Sequence, residues 1–384
     1  MASQTGVIFR VSTFGESHGV SVGCCIDGCP AGLPLSVDMI QSELNRRRPG
    51  QNPFTSPRAE LDLCRIVSGV EKGLTLGTPI TILIDNGNAQ PADYTESETA
   101  YRPGHADYTY DAKFGIRAAS GGGRASARET IGRVAAGAVA KQLLQHVFGE
   151  SIAAVAWVQR IAQIECSPES RPLTNSAVDT SDLRVPDARA ESQMKELLTH
   201  LMNQGDTAGG LIRCCVRGVP PGWGEPVFDK LEADLAKAML SLPASRSFEM
   251  GSGLAGTFLT GSAQNDSFAR EPATGRIVTR TNNSGGVQGG ISNGMELEFA
   301  VGFKPVSTIR TAQATVDANG NSHTLKISKG RHDPCVLPRA VPIVEAMTWL
   351  VLADHGLRAL SNRVANLTTL SLSRAAESGA GKTP

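Results

Sequence analysis

Two histidines lie in short turns that leave an imidazole accessible. His18 belongs to F-G-E-S-H-G (14–19), just after a strand-like run, and His105 belongs to Y-R-P-G-H-A-D (101–107), three residues after Arg102. An imidazole can give or take a proton near neutral pH. A lone histidine in a turn is more often structural, but an arginine beside a titratable group suits a phosphate or carboxylate ligand. The two turns together predict acid–base chemistry on an anion.

A glycine run stands directly before a predicted helix start that carries two arginines. The segment G-G-G-R-A-S-A-R (121–128) contains Arg124, Ser126 and Arg128. Glycines let backbone amides approach an anion, the helix start supplies the positive end of its dipole, and the arginines neutralise charge. No Gly-Lys-Ser/Thr follows, so this is not a Walker loop. The segment predicts phosphate or polyanion binding, with a structural glycine hinge as the alternative.

Three other segments could face the same ligand. R-R-R-P-G (46–50) ends a predicted helix, where the helix dipole alone explains one or two of the cations. The glycine-asparagine stretch 281–294 is unsuited to regular structure and predicts close backbone approach to a ligand, with a linker as the alternative. K-G-R-H-D-P-C (329–335) places a cation, an imidazole and a carboxylate in one turn, a mixture suited to acid–base work.

The overall composition excludes several classes of partner. Lys plus Arg and Asp plus Glu both total 37 in 384 residues, so no net field attracts nucleic acid or an acidic membrane. The eight cysteines contain no C-x-x-C pair, which argues against zinc or a redox motif. The first residues lack a signal-peptide pattern, and no apolar run reaches spanning length. These features predict an intracellular enzyme with reduced thiols and no metal.

One internal repeat predicts the architecture. C-C-I-D-G-C-P-A-G (24–32) recurs as C-C-V-R-G-V-P-P-G (214–222), and predicted helices follow at 36–48 and 227–242. We interpret this as duplication of a strand–turn–helix unit about a pseudo-twofold axis, with chance similarity as the alternative. Short β-prone runs separated by turns favour antiparallel pairing, and they lie at 7–11, 64–70, 80–84, 296–303 and 324–327.

Two long helices complete the predicted elements. A capping box, with Ser126 accepting from the amide of Glu129, begins a helix that runs to about Phe148, and a second, apolar helix spans 338–360. Residues 166–187 are predicted to form a surface loop. Residues 1–365 are predicted to form a single domain, and residues 366–384 a disordered tail.

Taken in order, these motifs resemble the chorismate synthase family. They occur at 14–19, 46–50, 102–110, 121–130, 281–294 and 330–335, and they cover about residues 7–360. The stretch 242–262 is more similar to the cyanobacterial and plant branch than to the enterobacterial one. The resemblance implies an α+β fold in which a helical layer is sandwiched between antiparallel β-sheets, with an internal pseudo-twofold repeat and assembly as a homotetramer.

The resemblance also implies a reaction. The family converts 5-enolpyruvylshikimate 3-phosphate to chorismate by 1,4-elimination of phosphate, and it needs reduced FMN without net redox change. His18 resembles the histidine that protonates the departing phosphate, His105 the histidine that stabilises the anionic reduced flavin, and Asp333 the carboxylate that helps flavin N5 act as base. The substrate-binding cations would be Arg48, Arg102, Arg128 and Arg331, and the flavin contacts Arg124, Ser126, Asn283, Lys304 and Thr308.

Some positions depart from the family pattern. Relatives commonly carry a basic residue near Pro53 and in the loop of Gln90, and Arg246-Ser247 replaces a usual Lys-Gly. No insertion is large enough for an appended flavin reductase, so we expect a monofunctional cytoplasmic enzyme supplied by an external flavin reductase or NADPH-linked reductant. Two alternatives remain open, a flavin-independent phosphate lyase or phosphotransferase and a non-catalytic flavin- or anion-binding protein.

Overall fold

The computed structural model describes residues 3–56, 60–87, 100–118, 121–327 and 333–368. The strands of the first half are β1 Gln4–Thr5, β2 Arg10–Phe14, β3 Ser21–Asp27, β4 Cys64–Ser68, β5 Val70–Glu71, β6 Leu74–Thr75 and β7 Ile80–Asp85. Its helices are α1 Val37–Arg47, α2 Asp107–Phe114 and α3 Thr130–Phe148.

The second half is longer because small hairpins are inserted before its last helix. Its strands are β8 Ala153–Ile161, β9 Ile164–Glu165, β10 Gly210–Arg217, β11 Ser245–Met250, β12 Phe268–Arg270, β13 Ile277–Thr279, β14 Val287–Gln288, β15 Ile291–Ser292, β16 Leu297–Phe303, β17 Gln313–Val316 and β18 Ser322–Leu325. Its helices are α4 Asn175–Asp179, α5 Ala188–Gln204, α6 Leu231–Leu240, α7 Gly253–Gly256, α8 Gly261–Gln264 and α9 Leu337–Ala359.

The two halves form antiparallel five-stranded sheets of the same design. The first sheet has the order β1-β2-β3-β7-β4 and the second β9-β8-β10-β16-β11, so β3 and β10 take the same central place. The repeated glycines match as well. Gly28 and Gly218 both have positive φ, and a Cβ there would lie 1.9 Å from the Ile8 carbonyl oxygen or 2.4 Å from that of Ser151. The predicted internal repeat is confirmed.

Four helices separate the two sheets. Helix α3 packs on β3 and α9 packs on β8 and β10, while α1 and α6 flank this pair. Small residues allow the close approach, because a Cβ at Gly132 would lie 2.5 Å from the Gly23 carbonyl oxygen and one at Gly137 would lie 2.7 Å from the Cα atom of Ala346. The predicted α+β sandwich, with its helical layer between antiparallel sheets, is confirmed.

Helix α9 is long and apolar enough to cross a membrane by length and composition. Nearly all of it is buried between the sheets, with Val344 and Leu352 fully inaccessible to solvent. A helix enclosed by its own protein on all sides is a core helix. The prediction of a second long apolar helix is confirmed, with bounds one residue earlier at each end.

Several local predictions differ from the structure for identifiable reasons. The strand predicted at 7–11 begins only at Arg10, because the amides of Val7, Ile8 and Phe9 all donate to Oδ1 of Asp354 instead of to a neighbouring strand. The strand predicted at 64–70 is interrupted at Gly69, which has a φ of 82°. The strand predicted at 324–327 is observed as β18, two residues earlier.

The predicted capping box is also different in detail. The Oγ atom of Ser126 accepts from the amide of Arg128, and a short 3₁₀ turn precedes α3. Glu129 does not reach back to Ser126, since its carboxylate accepts from Thr13 and Arg133. The predicted end of the helix at Phe148 is confirmed.

Two predicted loops contain more structure than the sequence indicated. Within 166–187, α4 is helical and both Val178 and Leu183 are fully buried, so this segment covers the second sheet. Within 281–294, β14 and β15 form a small hairpin. The helix predicted at 227–242 is the shorter α6, because the amide of Leu231 donates to Gly290 and the residues before it form a loop. Most of the predicted tail, from 369 onward, lies outside the described residues.

Candidate active site

A cavity of about 990 Å³ lies where the starts of α3 and α9 meet the ends of α1 and α6. Its described lining contains three carboxylates, Glu60, Glu129 and Asp333. Nine cationic side chains line the same described wall, namely Arg47, Arg102, Arg124, Arg128, Arg133, Lys237, Arg246, Lys304 and Arg339. An excess of cations at two helix N-termini favours an anionic ligand. The sequence prediction of a cationic pocket agrees with this wall.

His105 is fixed on the cavity wall by a carboxylate. Its Nδ1 atom lies 2.7 Å from Oδ1 of Asp107. Arg102 donates to the same carboxylate from Nε at 2.8 Å and from Nη2 at 2.7 Å, and also to the Gly121 carbonyl oxygen at 2.9 Å. Burial alone would raise the pKa of Asp107, but the hydrogen bonds from Arg102 and His105 outweigh it and hold that pKa well below its usual value. Asp107 is therefore ionised, and His105 donates its Nδ1 proton to it.

The glycine run brings the two histidines together. A Cβ at Gly121 would lie 2.5 Å from Nδ1 of His18, and a Cβ at Gly122 would lie 3.3 Å from Nε2 of His105. His18 is half-buried, and its Nδ1 atom lies 3.1 Å from Oγ of Ser17. Gly121 and Gly122 line the cavity, whereas His18 lies directly behind Gly121. The structure thus places both predicted histidines at one glycine pair.

Arg47 and Arg128 share one buried carboxylate. Asp62 Oδ2 accepts from Nη1 of Arg47 at 2.9 Å, and Asp62 Oδ1 accepts from Nη1 of Arg128 at 3.0 Å. Arg128 also pairs with Glu60, while Arg47 donates to Oγ1 of Thr130 at 3.3 Å. Both arginines line the cavity, as does Glu60, and Nη2 of Arg47 also donates to the carbonyl oxygen of Ala127 at 3.1 Å.

Asp333 also lines the cavity, just before the start of α9. Its Oδ2 atom accepts from Nη1 of Arg339 at 2.7 Å, and its Oδ1 atom accepts from the amide of Ser56 at 2.7 Å. Arg339 is itself buried and lines the cavity. These contacts fix the position of the Asp333 carboxylate at the cavity wall.

Lys304 and Arg246 are two further cations of the cavity wall. The Nζ atom of Lys304 donates to the Gly104 carbonyl oxygen at 2.9 Å and to Ser307. Burial, followed by repulsion from Arg246, lowers the pKa of Lys304. Among the described residues no carboxylate pairs with either cation, and the buried hydroxyl of Thr308 lines the cavity nearby. Two like charges without a counter-ion in the described part of the chain are surroundings in which a bound phosphate is favoured.

Of the remaining predicted site residues, two line the cavity, two do not, and one lies outside the described residues. Arg124 and Ser126 line the cavity, although Arg124 also donates to Thr13 on β2. Arg48 follows the end of α1 and does not line the cavity, which Arg47 reaches instead, because neighbouring helical residues point in different directions. Asn283 donates to the backbone carbonyl oxygens of Ala263 and Gln264 and does not line the cavity, and its flavin contact stays a prediction. Arg331 lies outside the described residues.

Known proteins share both the sequence motifs and the sandwich fold of this chain. A family model described as chorismate synthase matches residues 9–357. The chain belongs to the chorismate synthase family. Members of this family are carbon–oxygen lyases of the shikimate pathway that release phosphate from 5-enolpyruvylshikimate 3-phosphate and form chorismate, and the chain is accordingly assigned this activity.

Curated relatives and a solved structure agree with this assignment. The chain is 55% identical to chorismate synthase of Prochlorococcus marinus (strain MIT 9301) over 355 residues, which cover 92% of this chain and 96% of the relative. It is 56% identical to chorismate synthase of Synechococcus sp. (strain WH7803) over 358 residues, which cover 93% of this chain and 98% of the relative. A crystal structure of chorismate synthase matches with a TM-score of 0.73 and 28% identity, covering 95% of this chain and 96% of that one. The predicted similarity to cyanobacterial members is confirmed.

Sequence reasoning missed several residues of this chorismate synthase site. They are Arg47, Asp62, Asp107, Arg246 and Arg339. Asp107 could have been found, since it stands two residues after His105 in the same motif. Asp62 and Arg339 carry no local signal, because only the fold brings them to the cavity. In the described part of the chain no cluster of three or more His, Cys, Asp or Glu side chains is placed to hold a metal ion.

Proposed function

We propose that the cavity binds 5-enolpyruvylshikimate 3-phosphate together with reduced FMN, and that phosphate elimination takes place between His18, His105 and Asp333. The observation that carries this proposal is the ring of nine described cations facing three carboxylates around one cavity. Both ligands are polyanions, and desolvating two polyanions side by side requires such an excess of fixed positive charge.

The residues present fit a flavin mononucleotide. Lys304, Arg246 and Thr308 offer two cations and a hydroxyl to its phosphate, while Gly121 and Gly122 let both imidazoles pack closely against this part of the cavity wall. Ser126 and Arg124 line the same cavity and are available for further flavin contacts. When bound, reduced FMN supplies electron density to the substrate and accepts the ring proton, which leaves the overall reaction redox-neutral.

The protein side chains have separate tasks in this proposal. His18, protonated at the imidazole, gives a proton to the departing phosphate. His105, oriented by Asp107, would lie beside the flavin ring and stabilise its reduced form, and Asp333 would assist removal of the ring proton. Arg102, Arg128 and Arg331 hold the phosphate and carboxylates of the substrate. Arg47 takes the position first expected for Arg48.

We also propose how the enzyme is supplied and assembled. Reduced flavin comes from an external flavin reductase or an NADPH-linked reductant, the enzyme is a homotetramer, and it works in the cytoplasm. All eight cysteines are free thiols, as expected in a reducing compartment. The position of Asn283 outside the cavity of its own chain is consistent with a role at a contact between protomers.

Equilibrium dialysis with both ligands tests the proposed site. The purified protein is incubated with oxidised FMN, which supports no turnover, with 5-enolpyruvylshikimate 3-phosphate, and with both. One mole of each ligand should be retained per chain, and each should increase the retention of the other. If the protein retains the substrate but does not retain FMN when both are present, a flavin-independent lyase would be favoured. Competition between the two ligands would exclude a shared catalytic complex.

A further inference from the structure

Asp62 adopts a backbone conformation that residues with a Cβ rarely take. Its φ is 50°, in the left-handed region, and its side chain is completely buried. Asp tolerates this region better than most residues, but such positions persist only where the surrounding structure determines them. Its carbonyl oxygen accepts from Nε2 of Gln41 at 3.3 Å, which ties the segment to α1. The chain is thus held in an unusual turn that directs this carboxylate inward.

The two partners of Asp62 come from separate parts of the fold. Arg47 is the last residue of α1, and Arg128 lies in the 3₁₀ turn before α3. Each donates one Nη1 hydrogen bond to a different oxygen of the carboxylate. Both arginines line the cavity, whereas Asp62 does not. Asp62 therefore makes no direct contact with a ligand in this cavity, and it can act on one only through the arginines and through its own charge.

The arginines need a counter-charge to stay in place. The pKa of Arg47 is lowered to about 10, mainly by burial and then by repulsion from Arg339 and Arg128, while Asp62 opposes this lowering. Three guanidinium groups are thus close enough to repel one another. Without Asp62 the fully buried Arg47 would lose its ionic partner, a change that favours movement of the side chain.

We propose that Asp62 is a positioning residue that fixes the guanidinium groups of Arg47 and Arg128 as a paired site for one oxyanion of the substrate. This inference rests on the proposed function, since it takes 5-enolpyruvylshikimate 3-phosphate as the ligand. Loss of the carboxylate has two opposing effects on an anion: it removes a nearby negative charge, and it releases the arginines. Positioning dominates, because a paired guanidinium site depends on the fixed geometry of both forks.

The chain contains a matched control for this carboxylate. Asp179 accepts from Nε of Arg46 at 2.6 Å and from Nε of Arg184 at 2.7 Å, so it too bridges two arginines. Arg46 precedes Arg47 in α1, yet neither Arg46 nor Arg184 lines the cavity. Asp179→Asn therefore removes the same kind of ionic bridge, from the same helix, without touching the cavity wall.

The test measures dissociation constants by calorimetry, for the substrate and for oxidised FMN separately. Asp62→Asn, which keeps the size and the tolerance for a left-handed backbone, should weaken substrate binding by about tenfold or more and leave FMN binding unchanged. Asp179→Asn should change neither constant. A substrate dissociation constant at or below the wild-type value in Asp62→Asn, or an equal loss for both ligands, would overturn the inference.

A double-mutant cycle separates positioning from general destabilisation. Because Asp62 acts through Arg47 and Arg128 as a pair, the effect of Asp62→Asn should be smaller in an Arg128→Lys background, whereas additive effects would contradict the inference. If Asp62→Asn does not fold, Arg47→Lys is measured instead, because it keeps the charge and loses the forked guanidinium group. This variant should weaken substrate binding and leave FMN binding unchanged. A wild-type protein that binds no substrate would reject the proposed function, while normal wild-type binding with an unaffected Asp62→Asn would reject only the role of Asp62.

Discussion

The Nδ1 atom of His105 lies 2.7 Å from the Oδ1 atom of Asp107, and the Nε2 atom of the same imidazole faces Gly122 on the cavity wall. Because the carboxylate also binds Arg102 through both oxygens, it is held from a second side. The imidazole consequently has a fixed orientation and a fixed Nδ1 proton, which leaves Nε2 for a ligand.

Replacing Asp107 by Asn should lower kcat by about 10–100-fold, because the imidazole loses its charged partner and its orientation. The dissociation constant of the substrate should change much less. Both are measured anaerobically with saturating reduced FMN. Asp111→Asn is the matched control, since Asp111 lies one turn later in α2 and pairs with Arg117 at 3.3 Å. Equal kcat values for wild type and Asp107→Asn would show that the carboxylate only supports the fold.

The low pKa of Asp107 should make stability depend on pH in acid. A carboxyl group whose pKa is lowered in the folded state stabilises it above its unfolded pKa of about 4 and loses that contribution as pH falls through the folded value. The free energy of unfolding should differ between wild type and Asp107→Asn by about 1–3 kcal/mol near neutral pH, and the difference should shrink below about pH 4. Urea unfolding at a series of pH values measures it, and a constant difference would contradict the assignment.

His18→Ala and His105→Ala should each lower turnover by about 10²–10⁴-fold, the range expected when an acid–base group is lost. Neither change should disturb the fold, since His18 is only half-buried and His105 lies at the cavity surface. His323→Ala, at an exposed position on β18, is the control and should keep full activity. Thermal unfolding is recorded for all three variants. A near-wild-type turnover rate in His18→Ala or His105→Ala would remove that histidine from the mechanism.

Lys304→Gln should weaken FMN binding by about tenfold, because one of the two cations, Lys304 and Arg246, is lost from the proposed phosphate site. Riboflavin, which lacks the phosphate, should bind both proteins equally. Burial and Arg246 lower the pKa of Lys304, so wild-type affinity for FMN should also decrease as pH rises towards that pKa. Flavin fluorescence titration measures all of these, with Lys195→Gln on α5 as the control. Equal losses for FMN and riboflavin would place Lys304 away from the phosphate.

The sequence predicted the parts of this molecule that depend on local patterns. The repeat around Gly28 and Gly218 is visible because both copies need glycine where a side chain would meet a neighbouring carbonyl. The helix ending at Phe148 and the strand starting at Ile80 follow from periodicity and turn residues. These features are determined by the residues next to them in the chain.

The sequence could not predict contacts that join distant segments. Asp354 lies near the end of α9, yet it removes three amides from the strand predicted at 7–11. Arg47 rather than Arg48 reaches the cavity, because the rotation of α1 against α3 decides which of three successive arginines faces inward. Asp62 is recognisable only when both of its arginine partners are seen together.

Anaerobic phosphate release is the most direct test of the central claim, that one cationic cavity carries out a flavin-dependent elimination. The purified protein is mixed with 5-enolpyruvylshikimate 3-phosphate in the presence and absence of reduced FMN, and phosphate and chorismate are measured together. We predict equal amounts of both products with reduced FMN and neither without it. Phosphate release at the same rate without flavin, or none in either case, would contradict the account.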